Sequence, residues 1–160
     1  MSLLIIKINK MPQSLSKVYV HITFSTKHRY PFIDKNIKQE LWAYIGGICK
    51  AMECFPVRIG GHNDHIHICC LLSKKISQIK LIEEVKKESS KWIKTKDKRY
   101  DKFYWQDGYG IFSVNPSEIE RVVEYIDNQH EHHKKQTFQK EFLAFLQKYG
   151  VGYDERYLWD

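Results

Sequence analysis

The chain has 160 residues, 42% hydrophobic and 14% aromatic, which suits one folded domain and excludes a disordered chain. No apolar run approaches the ~20 residues a membrane helix needs, and Leu3-Leu4-Ile5-Ile6 is too short for a signal-peptide core, so a soluble cytoplasmic protein is expected. The net charge is +7, and Lys74 to Arg99, with ten basic residues against four acids, supplies +6 of it; so local an excess points either to a polyanion partner or to a solvated lysine-rich helix.

Met1 to Lys10 reads as an extension, because patterned sequence begins only after Met11-Pro12; Met11 is then the natural start, or the extension is an extra edge strand. The expected organisation is an N-terminal extension over 1–15 and one domain over 16–160. Val18, Val20, Ile22 and Phe24 alternate with Tyr19, His21 and Thr23, the pattern of a half-buried strand. Asp34 can cap a helix carrying Ile37, Leu41, Ile45, Ile48 and Met52 on one stripe. Cys54 to Ile59 is a second strand closed by Gly60-Gly61, and His65 to Leu72 a third, apolar enough to be central. Ile79, Ile82, Val85, Trp92 and Ile93 outline the basic second helix. Phe103 to Val114 holds an Asp107-Gly108 hairpin signal and a fourth strand. Asn115-Pro116-Ser117-Glu118 opens a helix, and Phe138, Phe142, Phe145, Leu146 and Tyr149 mark a last one ending at Gly150. This order predicts an α+β, ferredoxin-like antiparallel sheet with helices on one face, its other face open to a ligand, followed by C-terminal helices. RNA-binding modules share that architecture, so the fold alone does not select a function. The four cysteines form no C-x-x-C pair and read as reduced, buried thiols.

On a strand, residues two apart face the same side, so His65 and His67 project together and can ligate one divalent ion. Eight histidines in 160 residues would give ~0.4 such pairs by chance, so context decides. Burying two imidazoles on a central strand is costly without partners. His130-Glu131-His132-His133 lacks metal-motif spacing, since Lys134 stands where a second helical ligand would, and reads as a solvated helix end. In the helix after Asn115, Tyr125 lies roughly 110° and Gln129 roughly 70° from the apolar stripe, on the same flank. Tyr125 so placed is either an amphipathic side chain at the core edge, hydrogen-bonded to Gln129 or to water, or a nucleophile. Tyrosine can form a covalent phosphodiester, but only about one phenol in a thousand is ionised at pH 7, so attack on phosphate calls for a Lewis acid.

His65-Ile66-His67 resembles the histidine-hydrophobic-histidine motif of HUH endonucleases. The order of segments is similar to that of single-tyrosine transposases of small bacterial and archaeal insertion sequences and their repeat-associated relatives. The supporting segments are His21-Ile-Thr-Phe-Ser-Thr-Lys-His-Arg-Tyr-Pro, Asp64-His-Ile-His, Trp105-Gln-Asp-Gly-Tyr-Gly-Ile-Phe-Ser-Val and Val123-Glu-Tyr-Ile-Asp-Asn-Gln. The resemblance implies Mg²⁺ or Mn²⁺ held by His65, His67 and Gln129, with Tyr125 as the nucleophile making a 5′-phosphotyrosine link. It further implies single-stranded DNA hairpins at the element ends as substrate, and a homodimer in which the tyrosine helix meets the partner's histidine pair. DNA contacts are expected from Lys74, Lys75, Lys86, Lys87, Lys91 and Arg29. The other readings are a non-catalytic ferredoxin-like nucleic-acid binder and a replication or conjugation nicking enzyme of the same superfamily.

Overall fold

The computed structural model describes residues 12–160; the extension proposed over Met1 to Lys10 lies outside the described residues. Four strands, β1 (Tyr19–Ser25), β2 (Pro56–His62), β3 (His65–Leu71) and β4 (Gly110–Val114), form one sheet in the order β2-β3-β1-β4, antiparallel at every pairing. Helices α1 (Lys38–Ala51) and α2 (Gln78–Lys94) are the two crossovers, and α3 (Ile119–Asp127), α4 (Gln129–His132) and α5 (Phe138–Lys148) follow the last strand. This is the expected ferredoxin-like α+β sheet, with β3 between β1 and β2. Among the described residues no helix is long and apolar enough to cross a membrane.

Strand alternation divides the chemistry between the two faces. Val20, Ile22, Phe24, Ile66, Ile68 and Cys70 join Leu41, Ile45, Leu81, Ile82, Val85 and Ile93 in one core under α1 and α2. Each such side chain contributes roughly 1.5–3 kcal/mol on burial. His21, Thr23, Ser25, His65 and His67 take the alternate positions and are buried too. The open face and half-buried first strand are therefore corrected: α3 to α5 roof the second face, and Phe112, Phe138, Phe142 and Leu146 form a second core there.

Three local expectations also change. Ile79 is 53% exposed, and Leu81 takes the core position instead. Asp107-Gly108 turns no hairpin, because the Lys86 ammonium draws the carbonyls of Gln106, Asp107 and Gly108 around itself at 2.7, 3.0 and 2.8 Å, and only Gly110–Val114 pairs with β1. Gly60-Gly61 lies within β2 rather than closing it. A Cβ on Gly60 would stand 2.7 Å from the Ile126 side chain, so the bare glycine lets α3 settle directly on the sheet. Of the two expected caps Asn115 holds, while Asp34 closes only the turn before α1: its Oδ1 accepts from the Asn36 and Ile37 amides, and α1 follows Ile37 with no side-chain cap. Asn115 Oδ1 accepts from the Ser117 amide at 3.0 Å, and Thr137 and Ser77 cap α5 and α2.

Candidate active site

β3 supplies His65 and His67 on the roofed face, and both are fully buried. Each imidazole has one nitrogen held from outside the cluster. His65 Nδ1 is 2.7 Å from Asp64 Oδ1, and His67 Nδ1 is 2.7 Å from His21 Nε2. The Nε2 atoms are thereby aimed inward, as outer partners orient metal-binding histidines.

α3, seated on β2 through Gly60, brings Tyr125 against its own chain's His67, ring centroids 5.6 Å apart and perpendicular. The next turn places Gln129 fully buried, its Oε1 2.9 Å from His65 Nε2 and 3.0 Å from His133 Nε2. α5 adds the residue that sequence reasoning missed. Glu141 is 2% exposed, with Oε1 2.8 Å from His67 Nε2 and 3.6 Å from His65 Nε2. Its Oε2 is 3.2 Å from His133 Nε2 and accepts the hydrogen bond of the Tyr125 hydroxyl. A signal existed: Glu141 falls inside the Phe138-Phe142-Phe145 stripe of an amphipathic helix, where a carboxylate needs a partner. His21, whose segment was singled out, holds His67 from behind. His133 leaves the solvated helix end expected for it, because the turn of α4 tucks its ring against His62 and His65, with centroids 5.3 and 4.4 Å away.

Charge is balanced by neighbours rather than by water. Burial alone would raise the Glu141 pKa, but His67, His133 and His65 outweigh it and hold the carboxyl far below the usual range. Burial, the Glu141 charge and the hydrogen bond to it push the Tyr125 phenol the other way, well above an ordinary tyrosine. Burial, the largest influence on each, lowers His67 and His21. His133 is raised: burial opposes its charge, but the hydrogen bond to Glu141 prevails.

These donors fit a divalent cation. With the Nδ1 proton of His65 given to Asp64, its Nε2 turns a lone pair toward Gln129 Oε1 and Glu141 Oε1, and a cation among them reconciles the opposed lone pairs. Ligands at ~2.1 Å and right angles lie about 3 Å apart, and the separations here run from 2.8 to 3.6 Å. The residues that could hold it are His65, His67 and Glu141, with the Gln129 amide oxygen beside them.

The six residues expected to contact DNA are not gathered here. Lys86 is tied to carbonyls, and α2 lies on the far face of the sheet. Lys75 pairs with Glu53 at 2.8 Å and Lys87 with Glu84 at 2.9 Å. Lys74 donates to the Ser14 carbonyl at 2.7 Å, Lys91 is exposed, and Arg29 donates to the Trp159 carbonyl at 3.3 Å. On the roofed side Lys134, Lys135 and Lys140 line a cavity of about 420 Å³ beside His62, Asp64 and His133, and Lys148 lines a smaller one beside Tyr125.

Residues 14–129 match the protein family described as Transposase IS200 like. The chain belongs to the IS200-like transposase family. The matched stretch takes in His65, His67, Tyr125 and Gln129 and stops short of His133 and Glu141. Two solved structures share the fold of this transposase. One is described as a candidate transposase from Deinococcus radiodurans R1, 16% identical, covering 76% of this chain and 98% of its own at a TM-score of 0.59. The other is a REP-associated tyrosine transposase bound to a REP hairpin, 16% identical, covering 79% of this chain and 74% of its own at a TM-score of 0.57. No curated protein matches the sequence.

Proposed function

We propose that this IS200-like transposase cuts and rejoins single-stranded DNA at the hairpin ends of a mobile element, with Tyr125 as nucleophile and Mg²⁺ or Mn²⁺ held by His65, His67, Gln129 and Glu141. One observation carries the reading: the Tyr125 hydroxyl and the Nε2 atoms of both strand histidines converge on the carboxylate of Glu141. The hairpin bound by the REP-associated structure of the same fold supports the choice of substrate.

The bound cation supplies positive charge that polarises the scissile phosphate and offsets the negative charge of Glu141. Asp64 and His21 fix the imidazoles so that no reorientation is needed when substrate arrives. Tyr125 attacks phosphorus through Oη, forming the tyrosyl P–O bond. The P–O bond to the 3′ oxygen breaks, and that oxygen leaves as a hydroxyl after taking a proton from water. Glu141 Oε2 accepts the hydrogen bond that orients the phenol, and the phenol proton passes to the solvent that supplies the one taken by the 3′ oxygen. One phosphodiester replaces another, so the cut strand can be rejoined without external energy. Tyr125 faces its own chain's pair, so a homodimer would not need to exchange the tyrosine helix, and we place the site in cis.

The test is cleavage of a hairpin-bearing single strand with Mn²⁺ and with excess chelator. Wild-type protein should cut only with metal. His67→Ala should lose at least ~100-fold in rate, since even outer-shell changes cost 10–100-fold, while still binding the hairpin. Full cleavage by His67→Ala, or in chelator, would remove the metal from the reaction.

A further inference from the structure

The segment after β1 and the segment before β4 enclose a cleft of about 720 Å³ that the proposed cleavage chemistry does not use. Its aromatic walls are Tyr30, Phe32 and Tyr104. Tyr30 and Tyr104 are 59% and 57% exposed, a poor arrangement for packing and a good one for stacking on a flat ligand. Lys27, Lys98, Arg99 and Lys102 rim the cleft against the single acid Asp101. Arg99 is engaged with Asp34 at 3.5 Å; among the described residues Lys27, Lys98 and Lys102 form no ion pair. One face of Tyr104 is covered by the Lys94 ammonium, 4.1 Å from the ring centroid, which leaves its other face for a ligand.

The cleft is built rather than loose. His28 and Arg29 both hold positive φ, 57° and 56°, a costly conformation for non-glycine residues that persists only where surroundings impose it. Three contacts impose it: the Lys27 amide donates to the Tyr104 carbonyl at 2.8 Å, and the Thr26 hydroxyl donates to the Tyr30 carbonyl at 2.7 Å. The Thr26 amide also donates to the Asp64 carbonyl at 2.8 Å. Asp64 is the residue that orients His65, so the cleft wall and the metal-binding strand share one anchored corner.

We propose that this cleft binds one unpaired nucleotide of the single-stranded DNA substrate, with the base stacked on Tyr30 and Tyr104 and its phosphates held by Lys27, Lys98 and Lys102. Stacked aromatics beside unpaired cations are the chemistry that holds single strands without reading their sequence, and a duplex, whose bases already stack on one another, has no free face to offer. The proposal rests on the reading of this protein as a single-strand DNA enzyme.

Binding of a fluorescein-labelled oligothymidylate of twelve nucleotides, followed by anisotropy without divalent metal, tests it. Tyr30→Ala and Tyr104→Ala should each weaken binding by about five- to a hundredfold, while Tyr30→Phe and Tyr104→Phe stay within about twofold, since the ring does the stacking. Lys98→Ala and Lys102→Ala should each flatten the salt dependence by about 0.7 in log-log slope. In wild-type protein, a 2-aminopurine placed within the strand should lose fluorescence on binding, a stacking signature that needs no variant to fold. Alanine variants that melt and bind like wild type, equal losses in the phenylalanine variants, or no quenching at any position would each overturn the pocket. None of these readouts requires cleavage. Absence of a covalent adduct in wild type would defeat the transposase chemistry and leave the pocket standing; unchanged binding beside a normal adduct would defeat the pocket alone.

Discussion

Glu141 and His62 show how single side chains set the behaviour of the site. Glu141 meets both strand histidines, His133 and Tyr125, so its loss should register in two measurements. Glu141→Gln keeps the shape and should weaken Mn²⁺ binding by ~10–100-fold in calorimetry. Glu141→Ala should also destabilise the fold by about 3–5 kcal/mol, because it strands buried partners of a charge pair. Unchanged Mn²⁺ affinity in Glu141→Gln would take the carboxylate out of the ligand set. His62 gives a pH prediction. Burial first, then the His133 and His65 charges, pull its pKa from 6.5 to about 4, and its buried Nδ1 finds no hydrogen-bond partner among the described residues. Between pH 6.5 and 4 the unfolded chain therefore holds more protons than the folded one, so stability falls as pH falls through that window. Melting temperature should drop on acidification, and His62→Gln should flatten the drop; an equally steep curve would assign the acid lability elsewhere. The histidine pair was legible because a strand's period of two is local. Glu141 was legible only as a carboxylate inside an apolar stripe; which groups it meets was not, because its partners lie 74 and 16 residues away in sequence.

The elements behaved as their periodicities dictate where packing agreed with local preference. β3 and α1 lie where their patterns put them, and Asn115 caps as read. Disagreement came from tertiary contacts that no local pattern contains. The Asp107-Gly108 signal yields to the Lys86 ammonium, which burial lowers to about 8 despite Asp107. Lys86 is thus a strap, and Lys86→Ala should lower the melting temperature while leaving the salt dependence of DNA binding nearly unchanged; a slope flattened by about 0.7 for a single strand would return it to the DNA surface. α3 depends on a missing side chain at Gly60. Gly60→Val would force Ile126, and with it Tyr125, off the sheet, so cleavage should fall far more than hairpin binding. Equal cleavage would mean that α3 does not need this close approach.

In the whole molecule, the proposed catalytic residues and the charge excess lie on opposite sides of the sheet. α2 carries its lysines behind the core, while the histidines, Tyr125 and Glu141 lie under α3 to α5. Neither side of this division could be read from charge counts along the chain, because only the sheet's alternation assigns each element to a face. The roof also completes the site within one chain. A mixture of His67→Ala and Tyr125→Phe proteins should therefore stay inactive, whether or not two copies associate in light scattering; restored cleavage would show the tyrosine helix exchanged between copies. Tyr125 is the proposed carrier of the cut DNA. Mass spectrometry of protein incubated with a hairpin-bearing single strand and Mn²⁺, then denatured and digested, addresses that role directly. A nucleotide is expected on the peptide containing Tyr125, with no adduct from Tyr125→Phe, which removes one hydroxyl and little packing. An adduct of normal yield from Tyr125→Phe, or attachment at another residue such as Tyr109, would contradict it.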